Sequence, residues 1–300
     1  MPTITLDHSM LKYIQEINLV EHEPRLWNNW LTEIGCPVEI NNDEHIDIEV
    51  FPDRPDLLSH ETLAKASRSF LNYKIEDASM DVKKGENTVD VDKSLEGVRP
   101  IIMSAIVRGV KTGKNTKDKE KFIQSLMDHQ EKLHLTLGRK RKLSSIGVHD
   151  LAKIKPPFRV KTVKSSFKFV PLSEKAEMSI AEILNKHPKG IEYSHLMKDV
   201  DSFPIILDSE DNVISFPPII NGEQTTVTTE TRDFFIDVTG WDERACEACL
   251  LLICLALGER GGDIENLEIV FSHKNNIITP NGEPINYRVP EKLIQKILGM

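Results

Sequence analysis

Hydrophobic and polar positions alternate along the chain with the periods of strands and of short helices. Residues 45–51 alternate strictly, so that Ile46, Ile48 and Val50 fall on one face of a predicted strand. Residues 101–107 form a continuous apolar run, which is typical of a buried strand. Strands and helices are therefore interspersed along the sequence.

The order of the predicted elements indicates two structural units. The first stretch of about 75 residues has the pattern of a small α/β unit and leads into a polar stretch from Asp77 to Asp92. From there to about residue 272 strands mix with helices, including an amphipathic helix at residues 119–135. The fold class that this pattern predicts is α+β (mixed α/β), with a small unit before a larger mixed-sheet unit.

Length and composition agree with an ordinary globular chain. The 300 residues are 39% hydrophobic and 28% charged, which is typical of about two domains with substantial cores. The longest apolar run, at residues 250–257, is far shorter than the ~20 residues that span a bilayer. The N-terminus lacks the basic and apolar regions of a secretory signal. We therefore expect a cytoplasmic protein without a membrane partner.

Charge is distributed unevenly along the sequence. The net charge is −9, yet residues 108–168 contain 17 Lys and Arg against 5 Asp and Glu. A basic block inside an acidic protein can steer a polyanion to one face. Within this block Arg139, Lys140, Arg141 and Lys142 are consecutive and are the candidate contacts to such a polyanion. The alternative is a solvated, lysine-rich surface.

An apolar helix is predicted from Asp242, its N-cap, to Leu257, with Gly258 as the residue that ends it. Cys246 and Cys249 share one face of that helix. A structural zinc site needs four ligands, and no second CxxC or His pair follows. The sequence therefore favours buried core cysteines and predicts no metal site.

Asp237 and Thr239 are the candidate polar residues of a predicted strand at residues 233–240. Because side chains two apart on a strand share a face, they point the same way, opposite to Ile236 and Val238. A carboxylate beside a hydroxyl can bind a polar ligand or orient a water; the alternative is a solvent-facing strand edge. His149 is followed by Asp150, but neighbours on a strand point to opposite faces, so a structural histidine is predicted.

Eight segments in this order and spacing resemble one known family. They are DRPDLLSHE (53–61), SIGVHDL (145–151), KFVPL (168–172), HPKGIEY (187–193), ILDS (206–209), SFPPIIN (215–221), TETRDFFIDVTG (229–240) and ERGG (259–262). The chain closely resembles the N-terminal half of the phenylalanyl-tRNA synthetase β subunit in its archaeal/eukaryotic form, over nearly its whole length.

The resemblance implies a domain organisation and an activity. It implies a small α/β domain at residues 1–90, an editing (B3/B4-type) domain at 91–275, and a linker with the start of a further domain at 276–300. The editing domain of the family hydrolyses tyrosine mistakenly esterified to tRNA(Phe). An excised fragment is favoured over a free-standing editing protein. A non-catalytic scaffold that docks tRNA is the alternative function.

The resemblance also implies partners and cofactors. The partners are tRNA(Phe) and, through the missing C-terminal half, the α subunit. No phosphate-binding Gly-rich loop occurs in the sequence, so no cofactor is expected for this chain. ATP and Mg²⁺ are expected to serve the holoenzyme, and no ligase activity is expected from this chain alone.

The resemblance places the editing site on particular residues. Asp237 and Thr239 match the Asp-x-Thr of the family's pocket and are the predicted catalytic pair. Leu207 and Ser215 match pocket-lining positions of the family. Asn221 and Glu230 complete the predicted substrate-binding set, as polar contacts to the pocket or to the tRNA end.

Overall fold

The computed structural model describes residues 3–70 and 79–299. The first of these parts forms a three-stranded antiparallel sheet, in the order β1-β3-β2, with three helices. Its elements are β1 (Thr3–Asp7), α1 (His8–Ile17), α2 (Pro24–Ile34), β2 (Val38–Asn41), β3 (His45–Glu49) and α3 (His60–Phe70).

Sequence patterns account for these elements. The predicted face of β3 is confirmed, since Ile46 and Ile48 are fully buried, and Val50 just beyond the strand is buried as well. Helix α1 begins where the Asp7 side chain accepts hydrogen bonds from the backbone of Ser9 and Met10, which satisfies donors that a helix start leaves unpaired.

The second part is built on a mixed sheet that, within residues 79–299, contains eleven strands. Two further short strands pair with each other, and five helices complete the unit. The elements in chain order are β4 (Val82–Lys83), β5 (Thr88–Val91), β6 (Ile101–Arg108), α4 (Thr116–Leu135), β7 (Ser144–Asp150), β8 (Phe158–Val163), β9 (Lys168–Phe169), β10 (Met178–Ser179), α5 (Ile180–Lys186), α6 (Pro188–Tyr193), β11 (Phe203–Leu207), β12 (Val213–Phe216), β13 (Ile220–Asn221), β14 (Phe234–Gly240), α7 (Glu243–Glu259), β15 (Asp263–Phe271), β16 (Ile277–Thr279) and α8 (Glu291–Leu298).

The large sheet runs in the order β13-β12-β11-β8-β5-β15-β6-β14-β7, with β4 and β16 added to β15. Strand β5 is parallel to both β15 and β8, whereas β14 is antiparallel to both β6 and β7. Strand β14 is therefore held on both sides and is buried along its whole length. This arrangement confirms the predicted α+β class, with a small mixed unit before a larger mixed-sheet unit.

The predicted domain boundaries at residues 90 and 275 remain predictions. Strand β4 lies before the predicted boundary at residue 90, strand β5 spans it, and strand β16 lies after the predicted boundary at residue 275. All three strands pair with β15. The large sheet thus draws strands from both sides of the predicted domain. Asp77, the predicted start of the polar stretch, lies outside the described residues.

Helix α7 packs against the sheet and carries the cysteines. Cys246, Cys249 and Cys254 are free and buried, as predicted for core residues. Asp242 caps the helix by accepting from the backbone of Ala245. The predicted end at Gly258 is wrong: the helix continues to Glu259, and the first left-handed residue after it is Gly261, with φ of 74°.

The two units are joined through buried ion pairs between α3 and the end of α7. Arg68 contacts Glu259, and the Nε of Arg260 donates to Glu61 Oε1 over 2.6 Å. Since each charge has an opposite partner, its burial is tolerated. Within the described residues, no helix is long and apolar enough to cross a membrane.

Candidate functional site

A cavity of about 450 Å³ lies between α4, β7, α6 and the segment that connects β12 to β13. Its wall combines apolar side chains, such as Met127 and Ile146, with polar ones. A volume of this size and a mostly apolar lining with a few polar groups are typical of sites for small ligands.

Asp237 forms part of the cavity wall from the middle of β14, where it lies opposite Gly147 of β7. Only 1% of the residue is exposed. Its Oδ2 lies 2.7 Å from His149 Nε2. Among the described residues, no group donates a hydrogen bond to Oδ1, so this oxygen is available to a molecule in the cavity.

The opposite nitrogen of the same imidazole is also engaged. His149 Nδ1 lies 2.8 Å from Thr225 Oγ1, and that hydroxyl donates to the carbonyl of Gly222 over 3.1 Å. Thr225 Oγ1 therefore connects the imidazole to the Gly222 carbonyl, and its hydrogen bond with Nδ1 holds the His149 ring in place. Asp237, His149 and Thr225 thus form a buried chain that ends at the carbonyl of Gly222, the residue after Asn221.

Gly147 gives Asp237 its access to the cavity. A Cβ at position 147 would lie 2.1 Å from Asp237 Oδ2 and 2.5 Å from His149 Nε2. Both distances are far below van der Waals contact, so a side chain at position 147 would occupy the space of the carboxylate. Glycine is therefore required here by close approach.

Thr239 lies behind the cavity wall. Its Oγ1 accepts from Arg99 Nε over 2.7 Å and lies 3.1 Å from Ser145 Oγ, and Ser145 lines the cavity. Arg99 also donates to Ser145 and to the Thr239 carbonyl. Burial lowers the pKa of Arg99 to about 10, so its guanidinium is still charged at neutral pH. With Thr239 as donor to Ser145, the proton of Ser145 is free for a molecule in the cavity.

Arg141 lines the cavity from the turn between α4 and β7. Its Nη1 donates to the carbonyls of Pro218 and Ile219, and its Nη2 donates to Glu131 over 2.6 Å. The guanidinium also lies 4.4 Å from the centre of the Tyr193 ring. Burial alone would raise the pKa of Glu131, but the hydrogen bond from His134 and the charge of Arg141 lower it to about 2.

Comparisons with known proteins identify the family to which this fold belongs. The model of the B3/4 domain family matches residues 99–271, which include β6, β7, β14 and the whole cavity wall. A solved N-terminal fragment of the phenylalanyl-tRNA synthetase β subunit from Pyrococcus horikoshii superimposes with a TM-score of 0.90 at 35% identity, covering 100% of this chain and 85% of that one. The chain belongs to the phenylalanyl-tRNA synthetase β-subunit family.

Curated β subunits of phenylalanine–tRNA ligase show the same relationship. Those of Methanosarcina barkeri and Methanocaldococcus jannaschii are both 43% identical to this chain, cover 100% of it, and are themselves covered to 53%. That of Archaeoglobus fulgidus is 44% identical over 90% of this chain and 48% of its own length. The chain therefore spans about half the length of the curated relatives it matches.

The residues predicted from the resemblance to the synthetase family separate into two groups. Asp237, Ser215 and Asn221 line the cavity, and Ser215 Oγ lies 3.5 Å from Asn221 Oδ1. Leu207 and Glu230 lie elsewhere. Leu207 is buried in an apolar cluster behind the β11–β12 hairpin, and Glu230 is on the surface, its side chain 80% exposed, beside Lys119.

The basic run at residues 139–142 is divided by its backbone. Arg139, Lys140 and Arg141 have φ of 45°, 55° and 64°, so the chain makes a left-handed turn here. This turn directs Arg141 into the cavity wall, whereas Arg139, Lys140 and Lys142 are exposed. The charge pattern suggested that all four residues share one surface, but Arg141 is buried in the cavity wall.

Three residues of β7 border or contact the site although the sequence pattern did not predict them there, namely Ser145, Gly147 and His149. They alternate along the strand, so they share the face that Asp237 and Thr239 use on β14. The spacing of these residues along β7 is visible in the sequence and indicates a shared face. The partner of His149 is not visible in the same way, because Asp237 is on another strand and not next to it like Asp150. Among the described residues no cluster of three or more His, Cys, Asp or Glu side chains is arranged to hold a metal ion.

Proposed function

We propose that this chain edits tRNA(Phe) by hydrolysing the ester of mistakenly attached tyrosine. The observation that supports this proposal most directly is the free Asp237 Oδ1 at the wall of a largely apolar cavity. An acceptor in that position pairs with a phenolic hydroxyl. It has no partner when the ligand is phenylalanine.

The chemistry of discrimination explains why such a site is needed. Tyrosine is phenylalanine with one added hydroxyl, and an apolar synthetic site rejects an added hydroxyl only by about 10²-fold. A second site that works by size cannot help, because the wrong amino acid is the larger one. A site that hydrogen-bonds the hydroxyl discriminates strongly, since phenylalanine would leave the buried acceptor unpaired.

Hydrolysis itself makes modest demands on the protein. An aminoacyl ester is already activated, so a positioned water and stabilisation of the developing oxyanion are enough. We assign contact with the substrate to Asp237, Ser215 and Asn221, with Ser145 as a further donor. Thr239 and Arg99 then act through Ser145 by holding its hydroxyl. Leu207 and Glu230 do not line the cavity, so we assign them no contact with the substrate.

The wider assembly is part of the same proposal. The curated relatives are named ligase β subunits, and this chain spans about half of their length. We propose that an α subunit joins the complete β subunit, that the assembly uses ATP and Mg²⁺ to attach phenylalanine, and that it works in the cytoplasm. The exposed Arg139, Lys140 and Lys142 are proposed to contact the tRNA backbone.

The test compares two esters and one substitution. We expect the purified chain to deacylate Tyr-tRNA(Phe) and to leave Phe-tRNA(Phe) largely intact. Asp237→Ala removes a hydrogen bond to a charged or polar acceptor that contributes about 1.5–3 kcal/mol, so deacylation should slow by about ten- to a hundredfold.

Asp263→Ala is the matched control. Its carboxylate is 61% exposed and pairs with Lys83, and neither residue lines the cavity. It should deacylate at the parent rate. If Asp237→Ala also keeps the parent rate, or if the parent chain hydrolyses neither ester, the editing proposal is wrong and a tRNA-docking scaffold becomes the better description.

A further inference from the structure

His149 is a fully buried titratable side chain for which the proposed hydrolysis has no direct use. Both of its ring nitrogens are nevertheless committed. Nδ1 is hydrogen-bonded to Thr225 Oγ1, which also contacts the Gly222 carbonyl. Nε2 lies 2.7 Å from Asp237 Oδ2, and two such atoms at that distance share a proton.

The shared proton has two possible positions, on Nε2 or on Oδ2. In the first, the carboxylate is ionised and Oδ1 is an acceptor. In the second, Oδ2 carries the hydroxyl proton and Oδ1 is the carbonyl oxygen of the acid, which is again an acceptor. In neither case does Oδ1 carry a proton. The pairing with His149 therefore fixes the hydrogen-bonding character of the oxygen that faces the cavity.

We propose that His149 is a specificity-determining positioning residue, which keeps Asp237 Oδ1 an obligate acceptor and thereby restricts the cavity to ligands that bring a hydrogen-bond donor to this point. The identity of that ligand as tyrosine rests on the proposed editing function. Thr225 belongs to the same group, because its hydrogen bond with Nδ1 holds the ring in the orientation that places Nε2 beside Oδ2.

Without His149 the carboxyl group would lose this constraint. A buried, unpaired carboxyl group tends to carry its own proton, and either oxygen can then hold it. The group could then rotate and present a donor or an acceptor to the cavity. Phenylalanine, which has no hydroxyl, could then bind without leaving a charged acceptor unpaired, so the cavity would discriminate less strongly against it.

The experiment measures binding of free L-tyrosine and L-phenylalanine to the intact chain by titration calorimetry, so that it does not depend on hydrolysis. We expect the parent to prefer tyrosine by at least tenfold and His149→Leu to reduce that preference to less than threefold. His149→Gln is the conservative variant, since its amide nitrogen can donate to Oδ2 from the position of Nε2, and it should keep most of the preference.

Two further variants complete the design. Thr225→Val keeps the shape of the side chain but cannot form the hydrogen bond with Nδ1. It should therefore also reduce the preference for tyrosine, and it serves as the test if His149→Leu does not fold. His195→Leu replaces an exposed histidine and should bind as the parent does.

The outcomes separate the two proposals. A preference for tyrosine that survives both His149→Leu and Thr225→Val overturns the inference, as does a parent chain without any preference, whatever the deacylation assay shows. A preference that depends on His149 in a chain that hydrolyses no ester supports the inference and overturns the editing function.

Discussion

At the scale of single residues, the candidate site depends on an absent side chain as much as on those present. Gly147 lies directly opposite Asp237 in the β14–β7 pair, and its missing Cβ leaves the room that the carboxylate occupies beside His149. The cavity, the acceptor and the imidazole therefore meet at one backbone position of β7.

Gly147→Ala is expected to displace the Asp237 carboxylate from His149 and from the cavity. The added Cβ would lie 2.1 Å from Oδ2, so the carboxylate must move. Loss of its hydrogen bonds should slow deacylation of Tyr-tRNA(Phe) at least about tenfold, and overpacking should cost roughly 1–3 kcal/mol of unfolding free energy. Deacylation kinetics and urea titration measure the two effects.

Gly97→Ala provides the comparison for this substitution, since a Cβ there has no heavy atom within 4 Å. It should change neither rate nor stability by a measurable amount. Parent kinetics in Gly147→Ala would mean that the carboxylate is not needed where the structure places it.

The sequence predicted those features of this site that depend on the pattern within a single strand. Alternation on β14 placed Asp237 and Thr239 on one face and Ile236 and Val238 on the other, and both apolar residues are in the core. The contact between His149 and Asp237 could not be found in that way, because strand pairing is a long-range property. The same limit explains why Thr239 was assigned to the pocket itself, although it reaches the cavity only through Ser145.

At the scale of elements, the turn between α4 and β7 determines what the basic run can do. Consecutive positive φ angles are rare in residues other than glycine, so no local sequence pattern predicts this turn. Charge alone treats the four basic residues as equivalent. The backbone separates them, with Arg141 bonded to the carbonyls of Pro218 and Ile219 and the other three in solvent.

Replacing Arg139, Lys140 and Lys142 together by alanine should weaken binding to tRNA(Phe) and reduce its salt dependence. Each lost phosphate contact lowers the magnitude of the log–log salt slope by about 0.7–0.9. Arg141 stays in place, so the preference for Tyr-tRNA(Phe) should be retained, because phosphate contacts position a nucleic acid without specifying it. Filter binding over a range of salt concentrations measures the slope.

The control replaces three exposed lysines from other elements, Lys84, Lys93 and Lys198. It removes the same number of charges and should change the slope less. Equal slopes for the parent and the 139/140/142 variant would leave these residues as an ordinary solvated surface.

At the scale of the whole molecule, the two units are connected by buried polar groups on α3, α4 and α7. His129 of α4 is 2% exposed, and within the described residues neither ring nitrogen has a hydrogen-bond partner. Burial lowers its pKa from the ordinary 6.5 to about 4, with Glu61 and Lys132 as nearby charges of opposite effect. The folded protein therefore contains this histidine in its neutral form.

His129 should make the whole molecule less stable in mild acid. The unfolded chain takes up a proton as the pH falls through 6.5, whereas the folded chain resists until about 4, so stability present above pH 6.5 is lost between these values. At pH 5 the loss is about 2 kcal/mol for this one residue. Urea titrations at pH 7.5 and at pH 5 should show a smaller difference for His129→Leu than for the parent. His195→Leu, at an exposed position, should behave as the parent does.

The order of the large sheet has a consequence for the cavity. Strands β13 and β7 are the two ends of that order, yet Asn221 of β13 and Ser145 of β7 face the same cavity. The sheet therefore curves so that its two end strands line the same cavity. Side-chain hydrogen bonds join the two sides of the cavity, among them those from Arg141 to Pro218 and Ile219 and the one between His149 and Thr225. We expect the cavity to open by breaking side-chain contacts of this kind while the hydrogen bonds between strands stay intact, which would admit the proposed aminoacyl ester without unfolding either unit.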